Sequence, residues 1–276
     1  MTDPSRAFVR ALAGVWGPGY WVTWHPSSRL ALGAVGPARY PGIVPVDRLP
    51  DDGTVPPEVA PAGRDTLTWN TEGAVRVTYR GTAGAADPVG GLADVRAGAV
   101  VEFTRKNALL VVYRGLAETR LADQPRLAQE LVRRYWAGDW HPDWCVVSHL
   151  VTARSGTVLM AADKGATVEL SASGSVTAGP AGLADLATQV RATRSSALQC
   201  ELVGRQLTPF YRVLRLRRRF LRGIEAEYGA RGLRTPAGRP AEVPPGLLHE
   251  VGDAPDAALE HPAQPAPPPN EEESTG

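Results

Sequence analysis

The sequence predicts an α+β protein: a mainly antiparallel sheet with helices around it, followed by a short C-terminal tail. Three observations carry that expectation. Short apolar runs bounded by Pro/Gly turns recur between Tyr20 and Arg205, the pattern of strands. Two stretches, opening near Asp123 and near Thr208, place apolar residues at helical spacing. From Gly229 onward the composition turns to Pro, Gly, Ala and acid.

The elements follow in order. Asp3 or Ser5 can cap a first helix, Pro4 suits its first turn, and Phe8, Val9 and Leu12 share a face before Gly14 stops it. Tyr20–Trp24, Arg29–Gly33 and Gly42–Val46 read as short strands, and residues 50–65 as a surface loop. Thr66–Trp69, Ala74–Tyr79 and Asp94–Arg105 are further strands. The last meets Ala108–Arg114 across Lys106-Asn107, which reads as a hairpin turn. Asp123 and Pro125 open a helix in which Leu127, Leu131 and Tyr135 recur and which Gly138 can end. Strands resume at Trp144–Arg154. A hairpin-like pair, Thr157–Ala162 and Ala166–Ser173, follows, then a small helix near 183–190 and a strand at Ala197–Arg205. The last strong element is a helix over Thr208–Gly229. No internal repeat is present.

Composition bounds the class. With 276 residues, 43% hydrophobic and 21% charged, the chain has the make-up of an ordinary globular protein. It holds no apolar run of about 18 residues that would cross a membrane as a helix. The charged N-terminus does not read as a signal peptide. Cys145 and Cys200 stand in unrelated contexts, which fits a reducing cytoplasm better than a disulfide framework. Lys106 and Lys164 are the only lysines among 30 basic residues, a bias of GC-rich bacterial genomes. The overall charge of +1 conceals an asymmetry. After Arg239 there are eight acids and no base, so residues 240–276 carry −8 and the rest +9. A basic body with an acidic tail raises three possibilities: a nucleic acid, a membrane surface or a self-masking tail.

Trp136–Leu150, WAGDWHPDWCVVSHL, concentrates the residue types of chemistry. Asp139, His141 and Asp143 alternate, and Cys145 and His149 are four apart in a strand pattern. Cys145, Val147 and His149 would then share one face, with the thiol and imidazole about 13 Å apart along the strand. That is too far for one zinc, whose ligands lie at about 2.0–2.3 Å, or for a local nucleophile pair. His25 has Ser27 and Ser28 nearby but no Gly-x-Ser-x-Gly accompanies them, and the Gly-rich stretches lack the Lys-Ser/Thr of a phosphate loop. No catalytic, cofactor or metal set is expected, and the protein is read as non-enzymatic.

The Arg-rich stretch is the strongest physical feature. On a helix, Val213, Leu216, Phe220 and Ile224 form an apolar stripe, with Arg212, Arg215, Arg218, Arg219 and Arg222 mostly opposite. Such a face is either a solvated surface or a site for anionic lipid headgroups. Nucleic acid is not expected, because no nucleic-acid motif accompanies the charge. The pair spanning Thr157–Ser173 is equally a half-buried soluble unit or, with small residues and alternation, a latent membrane hairpin.

Taken together, Phe8–Ala13, Tyr20–Trp24, Arg29–Ala34, Tyr40–Gly53, Leu121–Leu131 and Trp144–Ala161 resemble, in order and pattern over roughly residues 6–220, the gasdermin pore-forming family, particularly its short bacterial members. The resemblance implies a twisted mixed sheet, a gasdermin N-domain-like fold, in residues 1–228. It also implies autoinhibition, proteolytic release, homo-oligomerisation and insertion of β-hairpins, here around 92–114 and 155–176, to kill the host cell in anti-phage defence. Residues 229–246 would be the linker, with Arg231, Arg234 and Arg239 marking an accessible cleavage region. Residues 247–260 would be the autoinhibitory peptide, docking through Leu247, Leu248 and Val251, and 261–276 a disordered acidic tail. The implied partners are an activating protease encoded nearby and anionic lipid. The implied location is the cytoplasm when inactive and the inner membrane afterwards. The family's lipid-modified cysteine near the N-terminus has no counterpart here. The alternative is a soluble, non-enzymatic scaffold module whose basic helix recruits an acidic partner or a membrane surface.

Overall fold

The computed structural model describes residues 3–49, 55–60, 63–80, 98–172, 190–228 and 242–268. Among these, the chain is mixed α+β with antiparallel strand pairing throughout two sheets. Helix α1 (Pro4–Leu12) begins where Asp3 accepts a hydrogen bond from the Ser5 N–H at 2.9 Å, and it buries Phe8 and Leu12, one helical turn apart.

The larger sheet is organised by two long strands. β10 (Trp144–Ala161) pairs with β13 (Leu198–Leu216) along nearly its whole length, from Val146↔Leu214 to Ala161↔Leu198. The opposite edge of β10 is taken by β2 (Ala34–Arg39) at Trp144–Val146 and by β9 (Leu109–Leu121) from His149 to Met160. β3 (Gly42–Ile43) and β4 (Asp47–Arg48) extend β2, while β5 (Pro57–Ala60) and β6 (Thr66–Asn70) extend β9. The outer edge of β13 carries β1 (Trp21–Val22) and β14 (Leu259–Glu260). Gly156 lies where Tyr113 and Leu207 press on β10: an added Cβ would meet the Tyr113 ring at 2.5 Å and the Leu207 methyl at 2.9 Å.

A second sheet has the order β12-β11-β8-β7, from β7 (Val75–Arg80), β8 (Gly98–Phe103), β11 (Thr167–Ala172) and β12 (Val190–Ser196). Its Val101, Phe103, Val168 and Leu170 pack on Leu110, Val112, Leu159 and Ala161 of the larger sheet. The alternate residues Leu109, Val111, Tyr113, Val158 and Met160 face the other way, toward α1. Period-two alternation thus feeds two cores from one pair of strands.

This arrangement corrects both expected hairpins. β8 pairs with β7 and β11, not with β9, and β11 pairs with β8 and β12, not with β10. The turns at Lys106-Asn107 and Asp163-Lys164 change sheets, and Asn107 has a left-handed φ of 58°. The apolar periodicity was that of strands, but periodicity carries no information on partners. Residues 92–97 and the expected helix at 183–189 lie outside the described residues. Three smaller differences concern the N-terminal third. Residues 29–33 are irregular and the strand starts at Ala34, Gly42–Val46 divides into β3 and the approach to β4, and the expected loop 50–65 contains β5.

The helices cover one face at the β10 N-terminal end. α2 (Gln124–Ala137) is capped by Asp123, which accepts from the Arg126 N–H at 3.0 Å, and ends at Gly138, whose φ of 85° lets its N–H reach back to Arg134 and Tyr135 carbonyls. α3 (Arg218–Tyr228), α4 (Pro245–Asp253) and the single turn α5 (Pro255–Ala258) pack with it over Val146, Leu214 and Leu216.

The helix expected over 208–229 is corrected: residues 208–216 are the last part of β13 and only 218–228 are helical. Both faces of this central strand are covered, so Phe210, Tyr211, Val213, Leu214 and Leu216 are all buried. A run buried on both faces mimics a helical stripe. Pro209 falls at the irregularity between Val151↔Phe210 and Ala153↔Leu207, where a proline is tolerated in a strand.

Candidate functional site

The site begins with a connection. Residues 242–268 form a strap that runs across the helical core and then along the outer edge of β13. Its first part is held by apolar burial. Leu247 and Val251, four residues apart on α4, are each 1% exposed and lie among Leu127, Leu131, Leu221 and Ile224; Leu248 is half-buried beside them. Burying each side chain contributes about 1.5–3 kcal/mol. Gln129 donates to the Leu248 carbonyl at 2.9 Å.

The second part is held by polar groups. β14 pairs through Arg215↔Glu260 and Leu216↔Leu259, the Arg217 N–H donates to the Ala258 carbonyl, and Arg217 Nε donates to the Leu259 carbonyl at 2.7 Å. Arg215 Nε meets Glu260 at 2.6 Å, so the acidic tail does touch the basic segment. Beyond β14, His261 Nδ1 lies 2.9 Å from the Val213 carbonyl, Trp21 Nε1 donates to the Pro262 carbonyl at 3.0 Å, and Arg6 donates to the Pro268 carbonyl. Residues 261–268, expected to be disordered, are therefore docked; an open strand edge and convergent donors order them despite their Pro-rich composition. The expected linker 229–246 is shorter at its C-terminal end, because α4 already starts at Pro245. Arg231, Arg234 and Arg239 lie outside the described residues.

The five arginines expected on one helix are divided. Arg212 and Arg215 are on β13. Arg212 lies 5.0 Å over the Tyr20 ring and donates to the Pro18 carbonyl at 2.7 Å. Arg218, which pairs with Asp143, and Arg219 and Arg222 are all exposed on α3. The expected helix of five arginines is thus corrected: Arg218, Arg219 and Arg222 are on α3 and exposed, while Arg212 and Arg215 are half-buried on β13 in intramolecular contacts.

Histidines and cysteines behave differently from the strand geometry expected. A bulge between Val147 and His149 turns His149 away from the face shared by Cys145 and Val147. The imidazole instead stands edge-on to Tyr20, 6.2 Å between centroids, and 6.4 Å from His261 of the strap. Burial, reinforced by Arg212, lowers the His149 pKa to about 4, against the opposing pull of Glu118. His261 is lowered as well, chiefly by burial. The cysteine that does meet a histidine is Cys200, whose Sγ is 3.8 Å from His25 Nε2, with His25 Nδ1 2.7 Å from Ser27 Oγ. Nothing in local sequence linked residues 175 positions apart. Burial pushes the Cys200 thiol up to about 11, so it is not a thiolate at neutral pH and makes a poor nucleophile. Cys145 is likewise raised to about 11 by burial. His141 is exposed beside Asp143, and its Nδ1 accepts from the Asp143 N–H. Among the described residues no group of three metal-ligating side chains converges, and no helix is long and apolar enough to cross a membrane.

No protein-family model matches the chain, and no curated protein sequence does either.

Proposed function

We propose that this chain is an autoinhibited, gasdermin-like pore-forming protein, held inactive by the strap and released when a protease cuts between the body and α4. The observation that supports this reading is the strap itself. It covers the apolar surface of Leu127, Leu131, Leu221 and Ile224 and the outer edge of β13, and its covalent link to the body runs through residues 229–241. Cutting there turns an intramolecular contact into a bimolecular one, which weakens it by dilution alone.

The membrane-inserting segments in this reading are not the hairpins expected from the sequence. They are the β7–β8 and β11–β12 pairs of the second sheet, which alternate small or apolar with polar residues (Val75, Val77 and Tyr79 against Arg76 and Thr78; Val168 and Leu170 against Thr167 and Glu169). Their paired arms are shorter than the about 9–11 residues of a spanning strand. Arg219 and Arg222 would meet anionic lipid. Released copies would assemble as homo-oligomers at the inner membrane, in a cell-killing anti-phage role.

The test is dye release from anionic vesicles by the full chain carrying a specific protease site inserted between 229 and 241. Uncut protein is expected to be silent and cut protein to release dye. Cut protein that neither releases dye nor sediments with vesicles would end this reading and favour a soluble scaffold module.

A further inference from the structure

β1 is a two-residue strand, and among the described residues only one of its edges is paired by backbone: Trp21↔Tyr211 and Val22↔Phe210 join it to β13. On the other side, the Val22 N–H donates to Gln264 Oε1 at 2.9 Å, and Gln264 Nε2 donates to the Val22 carbonyl at 2.9 Å. The same Nε2 donates to the Pro41 carbonyl at 2.6 Å. A primary carboxamide carries the donor and acceptor of a peptide group plus one further N–H. Here the first two satisfy Val22 as a neighbouring strand would, and the third satisfies Pro41. The orientation is fixed by this set, since exchanging O and N would face two carbonyls with an oxygen and the Val22 N–H with a donor.

Three residues earlier His261 meets the Val213 carbonyl, and two residues earlier the Pro262 carbonyl receives the Trp21 indole N–H. The trough between β1, β13 and the Tyr40-Pro41 turn therefore offers fixed donors and acceptors at three points along an extended peptide.

We infer that this trough is a peptide-reading site selective for a glutamine carboxamide, that its occupant is this chain's own segment Leu259–Pro268, and that Gln264 is the residue that sets the strap's register. The site rejects a carboxylate at that position: glutamate has the same shape but no donors, so it would leave Val22 and Pro41 carbonyls facing an anion. The consequence for activation rests on the pore-forming reading; the recognition itself is a property of the protein in solution.

Residue-resolved amide hydrogen exchange on the full, uncut chain without vesicles tests it, so either reading can fail alone. In the wild type the Val22 amide is protected. In Gln264→Glu its protection falls by about 30-fold or more, and in Gln264→Ala by less, while amides in the centres of β10 and β13 keep theirs. If Gln264→Glu exchanges faster everywhere, Gln264→Ala decides by the same local criterion. A Val22 amide that exchanges freely in the wild type, or that stays equally protected in both variants, overturns the inference.

Discussion

The two halves of the strap are held by opposite physics. α4 and α5 bury Leu247, Val251 and Ala258 in a core shared with α2 and α3, an attachment proportional to area and tolerant of chemistry. Residues 260–268 bury little apolar surface and are fixed by hydrogen bonds and, among the described residues, one ion pair, from Arg215–Glu260 to Gln264–Val22. The first half supplies adhesion and the second supplies register. A strap built this way can be firmly seated while the chain is intact. Once severed, it depends on a modest apolar contact and on polar groups that water readily replaces.

The largest expected effect comes from the adhesive half. Leu247→Ala should destabilise docking by about 2–4 kcal/mol, seen as faster exchange of α4 amides. In the pore-forming reading it also gives partial dye release without cleavage. If α4 exchange is unchanged, adhesion does not reside in this core.

Acidification should act next, on the polar half. His149 lies under the strap, faced by Tyr20, by Glu118 and Arg120 of β9, by Arg212 of β13 and by His261. Its pKa is lowered on folding from 6.5 to about 4, so its contribution is intact above pH 6.5 and is lost as pH falls from 6.5 to 4. With its partial exposure, the loss is about 1–2 kcal/mol. Thermal unfolding over that window should show a falling midpoint, and His149→Gln should flatten the slope. An equal slope in the variant assigns the effect to other groups.

Smaller still is the ion pair. Arg215 and Glu260 are about 30% exposed, and a double-mutant cycle with alanine should give a coupling below about 1 kcal/mol. The smallest stability effect belongs to Arg219 and Arg222. Arg219→Ser with Arg222→Ser should leave thermal stability within about 0.5 kcal/mol and yet weaken sedimentation of cut protein with anionic vesicles. Unchanged sedimentation would remove these residues from the lipid surface.

How much of this was legible varies with the range of the interaction. Local signals were reliable: Asp3 and Asp123 as caps, Gly138 as a stop, and Leu127, Leu131 and Tyr135 as one buried face all follow from neighbouring residues. Pairing was not legible. Ala108–Arg114 reads as a strand, but nothing in it says that β9 takes β10 rather than β8. The bulge at Ser148 reversed the face of His149, and a single extra residue leaves no trace in a period-two pattern. The arginine stripe misled because a strand covered on both sides carries apolar residues at helical intervals by accident. At the candidate site, L-L-H-E-V could be read as an apolar segment, whereas the Gln264 anchor could not, since its partner lies 242 positions away.

The central claim, that an undocked strap is what activates the protein, can be tested by tying the strap down. Arg215 and Glu260 are cross-strand partners, and such pairs have Cα separations of about 4.5–5.5 Å, within disulfide range. Arg215→Cys with Glu260→Cys, in a Cys145→Ala background, should oxidise to a tether in the protein carrying the inserted protease site. Cut, oxidised protein should release no dye from anionic vesicles, and adding a reductant should start release. Equal release before and after reduction, with the disulfide verified by mass, would contradict it.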